Sequence, residues 1–305
     1  MAVLGHRRLV RTCKYPTLTW RYFQWRYLQN LASLVAYRFS RRPLSSEASR
    51  ILAELNRNGV ATTSAQDLLG SDSCYHELLE AVDRAKRDLT DIIAKARASA
   101  DDLEGHETYT FRLLGNRPQL NPDDIYVRFA LQKPILQIAN AYFGMYTRLR
   151  FYDVWHTFAT ELPARYSQLW HRDPEDNFVL KVFVYLSDVT DRTGPFTYAA
   201  GTHLKGGFCR EPAYTRRKGD SKRSDDSQMA KVASPERWIK CSGPKGTMIF
   251  ADTRGYHKGG FVQERERIMY TCTFTSQASK VKDYYERPER ILLPKDKEQA
   301  FALNG

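Results

Sequence analysis

Apolar positions recur with two different periods along the chain, and the period changes near residue 147. Over residues 18–39, Trp20, Phe23, Tyr27, Leu31, Leu34 and Val35 fall on one stripe with Arg26, Gln29 and Ser33 opposite, which predicts an N-terminal helix. Pro43 breaks that pattern. A second helix is expected from Ser45 or Ser46, its cap, to about Arg57, with Asn58-Gly59 as its left-handed stop. Val60-Ala61-Thr62-Thr63 reads as a short strand. Residues 75–98 predict one long amphipathic helix, and 122–145 contain another. Beyond 147 the stretches LRFYDVWHTFATEL, FVLKVFVYLSDV, TMIFADT and RIMYTCTFTS are aromatic and β-branched, several of them alternating. Turn signals separate them at Asp191–Pro195, Gly201, Gly206-Gly207, Gly243-Pro244 and Gly259-Gly260. Helices first and a block of strands second predict an α+β chain with a β-sandwich or jelly roll. Residues 215–231 are polar without periodicity and read as a long loop inserted between strands. No internal repeat is found.

Composition changes this picture little. The 305 residues are 42% hydrophobic and 27% charged, which excludes a disordered or collagen-like chain. No stretch approaches the ~20 apolar residues of a membrane span, and Arg7, Arg8, Arg11 and Lys14 interrupt any secretory-signal core. Five scattered cysteines without a CxxC pair argue against a disulfide framework or zinc site and for a reducing cytoplasm.

Charge changes it more. The net charge is +12, yet residues 1–50 carry +9 and residues 205–240 carry +5, so the remainder is slightly acidic. Two basic segments on a nearly neutral body attract anions: phosphate-bearing substrates, acidic lipid head groups or nucleic acid. The aromatics and arginines of residues 18–42 suit a helix lying on a membrane surface; the other reading, and the one taken first, is a helix that packs its stripe on the body of the protein.

Among seven histidines, His171 stands two residues before Asp173 in Gln168-Leu169-Trp170-His171-Arg172-Asp173. In an extended segment both side chains point the same way and can converge on one ion. A third ligand must come from elsewhere, and His257, after the strand Thr247–Thr253, is the best candidate. Two histidines and one carboxylate on one face is the arrangement of non-haem Fe(II) oxygenases. Arg267 opens the strand that follows, where its guanidinium is placed to pair with a carboxylate; Arg265 shares its parity and competes for the role. His203 lies in a turn and reads as structural, and His156 and Asp153 are three apart on one strand and face opposite sides.

These residues, with the strand VFVYLSDVTDRTGPF and the turn Ala200-Gly201-Thr202-His203, resemble the phytanoyl-CoA dioxygenase family of Fe(II)- and 2-oxoglutarate-dependent oxygenases over roughly residues 145–278. The resemblance implies a double-stranded β-helix (jelly roll, cupin-like) flanked by helices. It also implies His171, Asp173 and His257 as iron ligands, Arg267 on the distal carboxylate of 2-oxoglutarate, and O2 as the oxidant. Lys181 and Tyr185 share parity on the next strand, where either is placed for the other carboxylate, with core packing as the alternative for Tyr185. Gln168 either lines the pocket or makes a structural hydrogen bond. The expected organisation is a basic aromatic extension over 1–44 and one oxygenase domain over 45–305, its β-helix core about 147–278 and its inserted loop about 209–240. Because Asp173 is present, hydroxylation is expected rather than the halogenation of relatives that lack this carboxylate. The inserted loop and the extension have no counterpart in the family pattern, so the substrate is expected only by class: a small or carrier- or lipid-linked anionic metabolite, as in polysaccharide or natural-product pathways. Two other readings stand beside this one, a nucleic-acid demethylase of the same superfamily, for which no recognition motif is present, and a non-catalytic jelly-roll or membrane-peripheral protein. The expected location is the cytoplasm or the inner face of its membrane.

Overall fold

The computed structural model describes residues 20–102, 107–208, 210–214 and 222–304. The N-terminal helix is built from α1 (Trp20–Phe23), a π-helical turn (Gln24–Gln29) and α2 (Leu31–Ser40). After it, α3 (Ser46–Asn58) starts where the Ser45 hydroxyl accepts the Ala48 amide at 3.2 Å. It stops at Gly59, whose φ of 84° favours glycine. Strand β1 (Val60–Ser64) and helix α4 (Ala65–Leu69) follow. The long helix expected over 75–98 is two helices, α5 (Ser73–Asp88) and α6 (Thr90–Ala98), broken at Leu89. There the Thr90 hydroxyl bonds the carbonyls of Lys86 and Arg87 and competes with the helical ladder. After β2 (Thr110–Arg112), the helical region 122–145 is also divided, into α7 (Ile125–Ala130) and α8 (Lys133–Phe143), because Pro134 suits a first turn and not an interior.

The strand block holds β3 (Thr147–Thr157), β4 (Leu180–Tyr185), β5 (Phe196–Ala199), β6 (Trp238–Cys241), β7 (Thr247–Asp252), β8 (His257–Lys258) and β9 (Arg267–Ser276). A short helix, α9 (Asp226–Ala230), lies in the segment read as structureless, and α10 (Lys297–Leu303) follows the last strand. Six strands form one antiparallel sheet in the order β1-β7-β4-β9-β3-β2, and three form another in the order β6-β5-β8. The larger sheet sorts its side chains by parity. Leu180, Val182 and Val184 of β4, with Ile268, Tyr270, Cys272 and Phe274 of β9, join the core under the helices. Phe183, Tyr185, Ile249, Ala251 and Met269 face the other way and meet Phe196 and Tyr198 of the smaller sheet. Lys181 and Thr273 are register partners on that same inner face, as are Phe183 and Thr271. Polar side chains there are enclosed between two sheets rather than held in solvent.

The N-terminal helix docks with the face opposite to its apolar stripe. The π turn carries one more residue than an α turn, as the Asn30 amide reaching back to the Trp25 carbonyl at 3.2 Å shows. Tyr22, Trp25, Asn30 and Ser33 are thereby brought to one side and buried. The Trp25 indole donates to Ser276 Oγ at 3.1 Å and meets Phe178 edge-on at 5.7 Å. Asn30 Oδ1 accepts the Ala278 amide at 3.0 Å, and Arg26 Nη1 donates to the Phe143 carbonyl at 2.9 Å. The expectation that the stripe packs on the body is therefore corrected: Trp20, Phe23, Tyr27, Leu31 and Val35 are exposed, and of that stripe Leu34 alone packs inward.

Candidate active site

His171 and His257 lie side by side on paired backbone. The His171 amide donates to the His257 carbonyl at 2.9 Å and the His257 amide returns the bond at 3.0 Å. Two residues on, the Asp173 amide donates to Thr253 O at 2.9 Å, so residues 170–173 extend the smaller sheet beyond β8. Period-two alternation then turns His171 and Asp173 inward and Arg172 outward, where it lies 4.0 Å from the Tyr256 ring centroid. Arg254 Nη1 holds the Asp173 carbonyl at 2.9 Å.

One ligand atom from each of His171, Asp173 and His257 lies within 4.8 Å of the others, and all three residues are buried. The His171 and His257 ring centroids are 4.2 Å apart. His171 Nδ1 contacts Leu169 O at 2.8 Å and His257 Nδ1 contacts Gly255 O at 3.0 Å. Carbonyls only accept, so each Nδ1 carries the proton and each Nε2 presents its lone pair to the carboxylate side, 3.7 Å and 3.5 Å from the Asp173 oxygens. Burial pushes both imidazoles toward the neutral form, His257 down to about 4 and His171 well below its ordinary value, the latter helped by His257 and Arg223. Burial alone would raise Asp173, but Lys181, His257 and His171 outweigh it and hold the carboxyl well below the usual carboxylate range. Lys181 Nζ stands 2.7 Å from Asp173 Oδ2. Two neutral imidazoles and one ionised carboxylate on one face make a donor set for a divalent transition metal.

The three residues open on a cavity of about 270 Å³ between the sheets. Arg267, fully enclosed on β9, lines it and donates to the carbonyl of Gly194 and, at 3.4 Å, to Thr157 Oγ1. Its Nε has no partner, and burial pulls its pKa down with no carboxylate to offset the cost. Arg265, its competitor, is exposed. Of the other sequence-chosen residues, Lys181 lines the cavity and two do not. The Tyr185 hydroxyl donates to Cys241 O at 2.6 Å and accepts the Phe196 amide at 3.1 Å within the core. Gln168 Oε1 accepts the Arg165 amide at 3.0 Å and caps a short 3₁₀ turn. Tyr185 shares the parity of Lys181, but position along the strand decides which interior side chains reach the cavity. His203 binds Asn56 O at 3.2 Å, and His156 pairs with Glu266 at 2.6 Å, away from the metal position.

Arg223 escaped the sequence reading. It lies in the inserted segment, where nothing in the polar pattern marks an inward side chain. The next residue, Ser224, exchanges two backbone hydrogen bonds with Trp170, at 2.9 and 3.0 Å, one residue before His171. That bridge aims Arg223 into the cavity, with Nε and Nη1 buried and unpartnered. Thr271 Oγ1 is a further unpartnered polar atom on the same lining. Arg216, Arg217 and Lys218, basic residues of the inserted loop, lie outside the described residues.

No family model matches the chain, and no curated protein matches it by sequence. The fold has close company. The structure of EctD from S. alaskensis with bound Fe superposes with a TM-score of 0.51 at 17% identity, over 81% of this chain and 82% of that one. The same protein with 2-oxoglutarate and 5-hydroxyectoine gives 0.50 at 15% identity, over 80% of each chain. This likeness establishes an α+β jelly-roll architecture of the cupin type.

Proposed function

We propose that the chain is an Fe(II)- and 2-oxoglutarate-dependent oxygenase that hydroxylates an unactivated C–H bond of a small or carrier-linked anionic metabolite. The observation that carries this reading is the convergence of His171, Asp173 and His257 on a cavity whose other walls hold the enclosed Arg267 and the half-buried Arg223, neither of them in an ion pair among the described residues, with Glu107 on the same lining. EctD, with which the fold is shared, holds Fe in one structure and 2-oxoglutarate in another. The donor set fits the metal, and the orphaned polar atoms fit a dicarboxylate. When bound, iron with 2-oxoglutarate supplies the oxidising chemistry, coupling O2 reduction to oxidative decarboxylation of the 2-oxo acid.

In this reading His171, Asp173 and His257 hold the metal through one face and leave the cavity side for the co-substrate. Arg267 takes the distal carboxylate of 2-oxoglutarate, oriented by Gly194 and Thr157, and Lys181 keeps Asp173 ionised while standing near enough to contact the other carboxylate. Phe183, Phe196 and Met269 keep water away from the reacting centre. Arg223 faces the substrate rather than the co-substrate, because it arrives from the inserted segment and not from the sheet that carries Arg267.

The test is succinate formation from 2-oxoglutarate under air with added Fe(II). His171→Ala should lose it by at least ~100-fold while the thermal midpoint stays near wild type; full activity in that variant removes the metal assignment. Arg267→Ala should raise the apparent KM for 2-oxoglutarate by more than ~10-fold, the loss expected when a charge-assisted pair is removed, and Arg265→Ala should leave it unchanged. The reverse result would reassign the anchor.

A further inference from the structure

We infer that the outward face of the N-terminal helix is a docking surface for an anionic lipid membrane. The helix fastens to the body through Trp25, Asn30 and Arg26, and this fixes which side looks away. That side carries Trp20, Phe23, Leu28, Leu31, Val35 and Phe39, with Trp20 65%, Leu28 57% and Phe39 85% exposed. Large apolar side chains scattered singly over a surface need no partner, but six exposed together along a 21-residue helical segment are not scattered. Trp20 and Phe23 stack at 5.5 Å and Phe23 meets Tyr27 at 5.1 Å, so the aromatics are already gathered into one ridge.

Charge selects the occupant. Arg21, Arg38, Arg41 and Arg42 are all exposed around this face, and the chain has no acidic residue before Glu47. A second copy of the same face would set arginine against arginine, and an acidic lipid surface would neutralise them. Beside Tyr27 a cleft of about 410 Å³ runs between helix and body; Arg26 and Lys205 on its walls already donate to the carbonyls of Phe143 and Tyr142, so the exposed arginines carry the charge argument. Aromatics with flanking arginines, lying flat, is the composition of an interfacial helix. No helix among the described residues is long and apolar enough to cross a membrane, so the contact is with the surface.

The experiment is co-sedimentation of the full chain with vesicles of equimolar phosphatidylglycerol and phosphatidylcholine, and with phosphatidylcholine alone. The full chain should bind the anionic vesicles at least ~10-fold more tightly, a difference that shrinks with added salt. Leu28→Glu/Leu31→Glu/Phe39→Glu should abolish binding, while its thermal midpoint stays at the wild-type value because all three side chains point to solvent. Arg38→Gln/Arg41→Gln/Arg42→Gln should weaken anionic binding by about 5-fold for each charge and leave neutral vesicles unaffected. Absence of binding to anionic vesicles overturns the inference. So does a chain that sediments as a dimer and becomes monomeric in the triple glutamate variant, which would make the face an interface between copies. Neither outcome bears on succinate formation, so this inference and the proposed activity fail separately.

Discussion

Removing the Asp173 carboxylate does more than vacate a metal position, because it takes the nearest counter-charge from a half-buried ammonium. Lys181 Nζ stands 2.7 Å from Asp173, and with Glu175 as its one remaining carboxylate neighbour among the described residues the loss costs about 1–3 kcal/mol. Asp173→Ala should therefore lower the urea midpoint, and adding Lys181→Met should recover most of the loss without restoring turnover. If the single variant is as stable as wild type, the pair is not the electrostatic unit described above. Arg223 yields a second prediction at this scale. Arg223→Gln should weaken binding of the substrate to be oxidised, spare succinate formation assayed without that substrate, and leave the KM for 2-oxoglutarate unchanged. A raised KM would move Arg223 to the co-substrate. His171, Asp173 and Arg267 were legible because period-two alternation and strand position are local properties. Arg223 was not, since its direction comes from a bridge to Trp170, over fifty residues away in sequence. For Tyr185 and Gln168 the sequence left two fates open, and the structure shows the structural one for each: parity gives the face of an element, and depth within the fold is tertiary.

At the scale of elements, α3 and β1 are joined by charge as well as by sequence. Arg50 and the Thr63 hydroxyl both bond Glu47, in the first turn of α3, and hold its carboxyl down at about 2 from an ordinary 4.5, Arg50 being the larger cause. A carboxyl depressed in the folded state contributes stability above pH 4.5, and that contribution is lost as pH falls from 4.5 toward 2. Glu47→Gln should accordingly be less stable than wild type at neutral pH and approach it across that acid window, as urea titrations at several pH values would show. At the other end of α3, Gly59→Ala should destabilise by about 1–3 kcal/mol, because a side chain at φ 84° is strained and would meet Tyr198 and His203. The caps of this helix were readable from Ser45 and Gly59. The breaks at Leu89 and at Leu131-Gln132 and the π turn at Gln24–Gln29 were not, since each interrupts a pattern that remains amphipathic on both sides. The π turn brings Asn30 onto the buried side with Tyr22, Trp25 and Ser33.

For the whole molecule, the strand block and its layered topology were visible in the change of period near residue 147. The joining of helix to body was not, because an amphipathic pattern shows that a helix has two faces and not which of them finds a partner. Trp25 is the largest buried side chain of that joining. Trp25→Ala should cost about 3–5 kcal/mol in urea unfolding, the range for truncating a fully packed aromatic; a cost under ~1 kcal/mol would mean the helix is only loosely held. The docking has a geometric consequence. Trp25 rests on Phe178, and Phe178 closes the same short segment that begins at the metal-binding candidate Asp173. An enzyme hung on a flexible tether samples every height above a surface, whereas one bolted through its own core stands at a single elevation and tilt. On a membrane this molecule would act as a ruler, and of two lipid-linked substrates with identical head groups it would oxidise the one whose spacer matched the fixed rise from bilayer to cavity.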